Sequence, residues 1–256
     1  MCKDTMPPQK EKTFKLVLEY DGSHFSGWQI QPNQRTVQRE IESSLEQVLR
    51  QPVRSTAAGR TDAGVHASGQ VASFSAAVDF EPGKLKYVLN SILPRDITVL
   101  DCAVMPPGFN ARFDAFWRTY RYTISERKRS IGRHYAWQVK YHLSRELLEA
   151  SVQPLEGTCN LEGFSRRNED DIYSTIIFKK GWTFGENMMI FEISAVRFFH
   201  HAVRSIVGTA VDVARGKKAP DTIRTILETR DRALTGPLAP AGGLCLTHVE
   251  YEVKVP

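Results

Sequence analysis

Apolar and polar side chains alternate through Phe14-Lys15-Leu16-Val17-Leu18-Glu19-Tyr20, placing Phe14, Leu16, Leu18 and Tyr20 on one face of a predicted strand. From Thr36 to Gln51 the period changes. Val37, Ile41, Leu45, Val48 and Leu49 recur at helical spacing, with Thr36 placed to cap and Pro52 to stop an amphipathic helix. Two short strands, Val53 to Ala57 and Gln70 to Ser75, are then predicted on either side of the polar run Gly59-Arg60-Thr61-Asp62-Ala63-Gly64-Val65-His66-Ala67. A helix over Pro82 to Leu93, turning Leu85, Val88, Leu89 and Ile92 inward, and a strand over Ile97 to Val104 complete a β-α-β-β-α-β order.

The order then repeats. A long strand is predicted near Arg118 to Ser125, a helix from Ser144 to Val152, and strands near Thr175 to Phe184 and Met188 to Phe198. A helix follows through Val203, Ile206, Val207, Ala210, Val211 and Ala214, ending at Gly216. An additional helix over Asp221 to Thr229 precedes a last strand, Leu244 to Val253. The expected fold class is α+β, with two ferredoxin-like (βαββαβ) halves, residues 14–105 and 106–256, whose sheets face or merge. A cleft between the halves is then the default binding site.

Composition adds limits. The 256 residues are 41% hydrophobic and 25% charged, enough for a sizeable core and too balanced for a disordered, collagenous or mucin-like chain. Residues 1–105 hold 12 basic and 12 acidic side chains and residues 106–256 hold 22 and 17, so the whole formal charge of +5 lies in the second half. That favours a polyanionic partner. The richest stretch interleaves Arg112, Arg118, Arg121, Arg127, Lys128, Arg129 and Arg133 with Phe113, Phe116, Trp117, Tyr120 and Tyr122. It suits phosphate contact with base stacking, although a strand with aromatics inward and arginines outward reads the same way.

Cys2, Cys102, Cys159 and Cys245 are too far apart for a C-x-x-C pair and are expected to be buried free thiols. The opening MCKDTMPPQKEKT lacks the apolar core of a signal peptide, and no stretch approaches the ~18 apolar residues of a membrane span. A cytoplasmic protein with no membrane partner and a mobile tail over residues 1–13 is expected.

Chemistry concentrates in the Gly59 to Ala67 run. Glycines at 59 and 64 allow positive φ on either side of Arg60-Thr61-Asp62 and hold those side chains out on a tight loop. A guanidinium two residues from a carboxylate favours its charged form, available as nucleophile or base. By itself, an Asp between glycines is most often a turn residue that bonds its own backbone.

The nine residues GRTDAGVHA resemble the signature of the tRNA pseudouridine synthase A (TruA) family. Tyr20 to Gln29, Thr36-Val37-Gln38, Gly69 to Phe74, Asn90 to Asp96, Ala111-Arg112-Phe113, Arg118 to Tyr122, Phe198 to Gly208 and Gly243 to Tyr251 extend the similarity over almost all of residues 14–253. The resemblance implies a pseudouridine synthase fold with a central active-site cleft. It also implies conversion of uridine to pseudouridine in the tRNA anticodon stem-loop, at positions 38, 39 and 40, by a homodimer. By position it makes Asp62 the catalytic aspartate and Arg60 the arginine that helps extrude the target nucleotide. Tyr120 becomes the tyrosine lying against the flipped uracil, and Arg204 the second arginine, an ion-pair partner for Asp62 or else a phosphate contact.

This isomerisation moves a glycosidic bond from N1 to C5 and calls for no metal, redox cofactor or nucleotide triphosphate, so cofactors and metals are expected to be none. The sequence carries no G-x-G-x-x-G, P-loop or H-E-x-x-H, and the adjacent His200-His201 pair is expected to diverge on a helix or strand and to chelate poorly. Some positions depart from the family pattern. Cys159-Asn160-Leu161 replaces a usual His-Asp-Phe, Ser174 a frequent Arg, Asn110 a usual His and Ala202 a usual Met. These bear on the RNA contacts of the second half. Two other classes compete: a non-catalytic RNA-binding module, which lacks the expected RNP1 strand, and a glycosidase, which lacks a second carboxylate near Asp62 in the loop.

Overall fold

A computed structural model of the protein describes residues 11–166 and 172–251. In the first half, strand β1 (Lys12–Tyr20) is followed by helix α1 (Val37–Leu49), β2 (Thr56–Ala57), β3 (His66–Ala76), α2 (Pro82–Ile92) and β4 (Ile97–Met105). The second half runs β5 (Ala115–Ser125), β6 (Trp137–Gln138), α3 (Arg145–Val152), β7 (Gly157–Asn160), β8 (Ser174–Phe184), β9 (Met188–Ala195), α4 (Ala202–Ala214), α5 (Thr222–Thr229) and β10 (Leu244–Tyr251).

The two halves merge into one ten-stranded sheet, ordered β4-β1-β3-β10-β5-β9-β8-β7, with β2 on β3 and β6 on β5. Numbered within its own half, each βαββαβ unit has the ferredoxin-like order 4-1-3-2: β4-β1-β3-β2, then β10-β5-β9-β8. The seam is the parallel contact of β3 with β10, where His66 faces Cys245 and Ala67 faces Leu246. Paired positions place side chains on the same face, so Tyr20, Ala67, Leu246, Tyr120 and Ile193 form one buried row across the seam. On the opposite face Arg121 and Lys179 pair with Glu192 near solvent.

Several expectations shift. The tail expected to reach residue 13 is shorter, because Lys12 and Thr13 already pair with Ala76, Ser75 and Met105; its first ten residues lie outside those described, as do Cys2 and the end expected for the last strand. Thr36 occupies the cap position of α1, but its hydroxyl is buried without a hydrogen bond. The helix is capped by backbone instead. Val37 N–H donates to the Gly27 carbonyl at 3.2 Å and Gln38 N–H to that of Trp28 at 3.0 Å. Arg50, left-handed at φ 57°, ends the helix ahead of Pro52. Ile92, expected inward, is exposed, and Leu93 just beyond the helix packs on the core. The strand expected over residues 53–57 contracts to two residues, β3 begins four residues early, β7 was not expected, and β9 stops at Ala195. That early stop releases residues 196–201 as a loop leading into α4.

Candidate active site

The Gly59 to Ala67 run connects β2 to β3 beside the seam and is held by backbone. Trp28 N–H donates to the Thr61 carbonyl at 3.0 Å, Gly64 N–H to that of Phe25 at 3.2 Å, and Val65 N–H to that of Asp62 at 3.1 Å. Below it, the buried Tyr20 hydroxyl is 2.7 Å from the Thr61 hydroxyl, while the Gln70 amide donates to the Gly59 carbonyl at 2.7 Å. Burial pushes the Tyr20 phenol up to about 12 against its hydrogen bonds to Thr61 and Gln70, so it serves this network as a neutral hydroxyl.

Asp62 keeps a fifth of its side chain open to solvent (20%) and faces the N-terminus of α4. An Arg204 guanidinium nitrogen is 3.1 Å from Asp62 Oδ2, and Arg204 Nε donates to the Ala239 carbonyl at 2.7 Å, which fixes the arginine's direction. His200 Nε2 is 3.3 Å from Asp62 Oδ1 and His201 Nε2 is 3.8 Å from Oδ2. The imidazoles were expected to diverge. They converge because neither residue belongs to a regular element: the chain turns ahead of α4, and His201 adopts the left-handed region at φ 72°, bringing the ring centroids to 4.0 Å. Burial lowers the His201 pKa against the pull of Asp62, with His200 and Arg204 adding to the lowering.

Tyr120, on β5, lies in the buried row beneath the loop with its ring edge-on to Phe198 at 5.2 Å. Burial, then neighbouring Tyr20 and Asp62, push its phenol above the ordinary range, so Tyr120 presents a neutral ring. Its hydroxyl lies 3.7 Å from where a Cβ on Gly59 would stand, so a residue larger than alanine there would crowd the ring. Arg60 is exposed and forms no ion pair among the described residues. The partner that pairs with Asp62 is therefore Arg204, contributed by the other half, and not the sequence neighbour Arg60.

The arginine and aromatic stretch resolves by strand alternation. Arg118 points inward with Tyr120, Tyr122 and Ile124, whereas Arg121 points outward. Buried Arg118 donates to the carbonyls of Ala58, Ala115, Val196 and Arg112, and so is a clamp and not a phosphate contact. It joins the base of the Asp62 loop to the start of the segment that carries His200 and His201. Substituting Arg118→Leu is expected to lower unfolding stability by about 3 kcal/mol or more, because buried carbonyls lose their donors. A denaturant midpoint unchanged from wild type would contradict the clamp. Arg112, Phe113, Arg127, Lys128 and Arg133 remain exposed, available to a partner.

Cys102 and Cys159 are buried thiols and Cys245 is partly exposed beside the seam. A separate groove of about 710 Å³, lined by Glu19, Asp21, Arg35, His66, Tyr135 and Cys245 among others, contains neither Asp62 nor Arg204. Tyr135 crosses to it from the second half and donates to Asp21 at 2.7 Å.

A family model described as tRNA pseudouridine synthase matches residues 16–114 and 151–252. The chain is similar to the tRNA pseudouridine synthase A of Exiguobacterium sp., at 39% identity over 243 residues, covering 94% of this chain and 98% of that protein. It is 38% identical to that of Geobacillus sp., covering 94% and 99%, and 37% identical to that of Geotalea uraniireducens, covering 94% and 100%.

Proposed function

The chain belongs to the tRNA pseudouridine synthase family, and on that premise we propose that it isomerises uridines of the tRNA anticodon stem-loop, at positions 38, 39 and 40, with Asp62 as the essential carboxylate. The observation that carries this reading is the Asp62–Arg204 pair at 3.1 Å, formed between the two halves. A paired duplex hides the uridine, so the nucleotide must leave the stack before its sugar can meet a carboxylate. Exposed Arg60, two residues from Asp62 and without an ion-pair partner among the described residues, would enter the space the base vacates. Tyr120 and Phe198 supply an apolar wall for the extruded uracil.

Each half contributes part of the site. Asp62 and Arg60 come from the first, Tyr120 and Arg204 from the second, so residues 14–105 and 106–256 act as one catalytic unit. Arg204 fixes Asp62 Oδ2 through its 3.1 Å hydrogen bond, with His200 and His201 at 3.3 and 3.8 Å from the carboxylate, which lowers the reorganisation needed as charge develops in the reaction. The chain's groups supply the carboxylate, its cation and the stacking wall, and the reaction they serve needs no cofactor.

We further assign the protein to the cytoplasm, where tRNA is matured; among the described residues no helix is long and apolar enough to cross a membrane. A homodimer would join two basic second halves into a larger surface for one tRNA. Mapping pseudouridines in tRNA from a strain lacking the protein tests the target assignment. Loss confined to positions 38–40 is the expected result, and an intact anticodon arm with loss elsewhere overturns it. Affinity for tRNA is expected to fall with salt by a slope of about 0.7 to 0.9 in log–log units per phosphate contacted. A salt-independent affinity would remove the electrostatic component of the proposal.

A further inference from the structure

Asp62, His200 and His201 are the one group of three or more His, Cys, Asp or Glu residues among those described whose ligand atoms lie within 4.8 Å of one another. We propose that these three residues bind a divalent transition-metal ion of the zinc class, and that the bound ion takes the Asp62 carboxylate out of use. The binding half stands on geometry alone, whereas the inhibitory half rests on the catalytic reading of Asp62.

Zinc bonds to imidazole nitrogen and carboxylate oxygen are about 2.0–2.2 Å long, which sets neighbouring ligand atoms of a tetrahedral site about 3.3 Å apart. The His200 Nε2 to Asp62 Oδ1 separation is 3.3 Å already, and with one ligand atom from each residue the three lie within 4.8 Å of one another. Binding an ion at Oδ1 therefore requires the His201 ring to move in from its present place by Oδ2. Two imidazoles and one carboxylate form a borderline donor set that suits zinc, cobalt or nickel better than magnesium or calcium, which take oxygen ligands. Such a three-ligand site leaves a coordination position for water, as open zinc sites do.

The backbone organises the site in advance. The left-handed turn at His201 aims two consecutive imidazoles at one carboxylate, a placement that a regular helix or strand cannot give. His200 is 44% exposed, which gives an ion a path from solvent. Arg204 opposes binding, because its guanidinium is 3.1 Å from Asp62 Oδ2 and repels a second cation at that oxygen. The site is thus a reversible one and not a structural metal centre. An ion there occupies Asp62 Oδ1 and fills the space in front of the carboxylate, so the ribose and the ion compete for the same atoms.

The experiment titrates the full-length, chelator-treated protein with Co²⁺, reading visible absorption, and then displaces Co²⁺ with Zn²⁺. One equivalent bound with a nitrogen and oxygen ligand spectrum is expected. His200→Gln and His201→Asn are each expected to weaken binding at least about tenfold; asparagine tolerates the left-handed conformation at 201, so that variant keeps the turn. Zn²⁺ should slow pseudouridine formation by wild type, chelator should restore it, and each variant should need at least about tenfold more Zn²⁺ relative to its own metal-free rate. Absence of the cobalt spectrum, or binding unchanged in both folded variants, overturns the site. Binding without loss of activity overturns the inhibitory half, while the metal-free activity of the Asp62→Asn variant judges the catalytic reading separately.

Discussion

Asp62→Asn is expected to bind tRNA within about threefold of wild type while releasing tritium from 5-³H-uridine-labelled tRNA slower by at least about 10²–10⁴-fold, the range over which a positioned acid or base acts. The exchange removes charge and basicity but little volume. The amide oxygen it introduces can still accept from Arg204, now as a neutral acceptor, and the loop is held by the backbone bonds of Trp28, Gly64 and Val65, none of which uses the Asp62 side chain. Binding should survive because a polyanion gains nothing from a carboxylate, and losing one negative charge can only help. Tritium release reports completed chemistry, since C5 loses its hydrogen as a proton only after the N1–C1′ bond has broken and the C5–C1′ bond has formed. Unimpaired release by this variant would remove Asp62 as the catalyst, whereas lost release with lost binding would point to a collapsed loop.

The role proposed for Asp62 rests on the length of the motif around it, because an isolated Asp in a glycine-flanked loop reads more often as a turn residue. Strands and helices were legible where one face is buried: Phe14, Leu16 and Leu18 on β1, or Ile41 and Leu45 on α1, declare their period. What could not be read were features set by contacts distant in sequence. Arg118 looks like a nucleic-acid arginine until strand alternation and four carbonyls turn it inward. Thr36 looks like a helix cap until the carbonyls of Gly27 and Trp28 take its place. His200 and His201 escaped because a single left-handed residue redirects a ring, and adjacency on a regular element says the opposite. The merger of the halves at β3 and β10 likewise depends on pairing over about 180 residues, which no local pattern encodes.

Gly27→Ala is expected to reduce turnover by about 100-fold, although residue 27 carries no side chain and belongs to no regular element. Its φ is 94°, where a Cβ is strained, and that Cβ would stand 2.6 Å from the Thr61 carbonyl oxygen, 3.1 Å from the Asp62 carbonyl carbon and 3.2 Å from the Ala63 nitrogen. All three are backbone atoms of the Asp62 loop, so no flexible side chain can move aside. Gly27 is also fixed from behind, since its carbonyl accepts from Val37 at the start of α1. The loop must therefore yield, carrying Asp62 away from Arg204. The strain at positive φ costs about 1–3 kcal/mol in stability as well. Gly216→Ala separates the two effects: Gly216 has φ 70° with nothing within 4 Å of the added methyl, so that variant should melt lower but turn over normally. The loss in Gly27→Ala should fall on kcat and leave KM for tRNA nearly unchanged, because the RNA contacts spread over a surface far larger than one loop. A Gly27→Ala enzyme that melts lower yet keeps wild-type kcat would show that the Asp62 loop is positioned from the α4 side alone, by Arg204 and the two histidines.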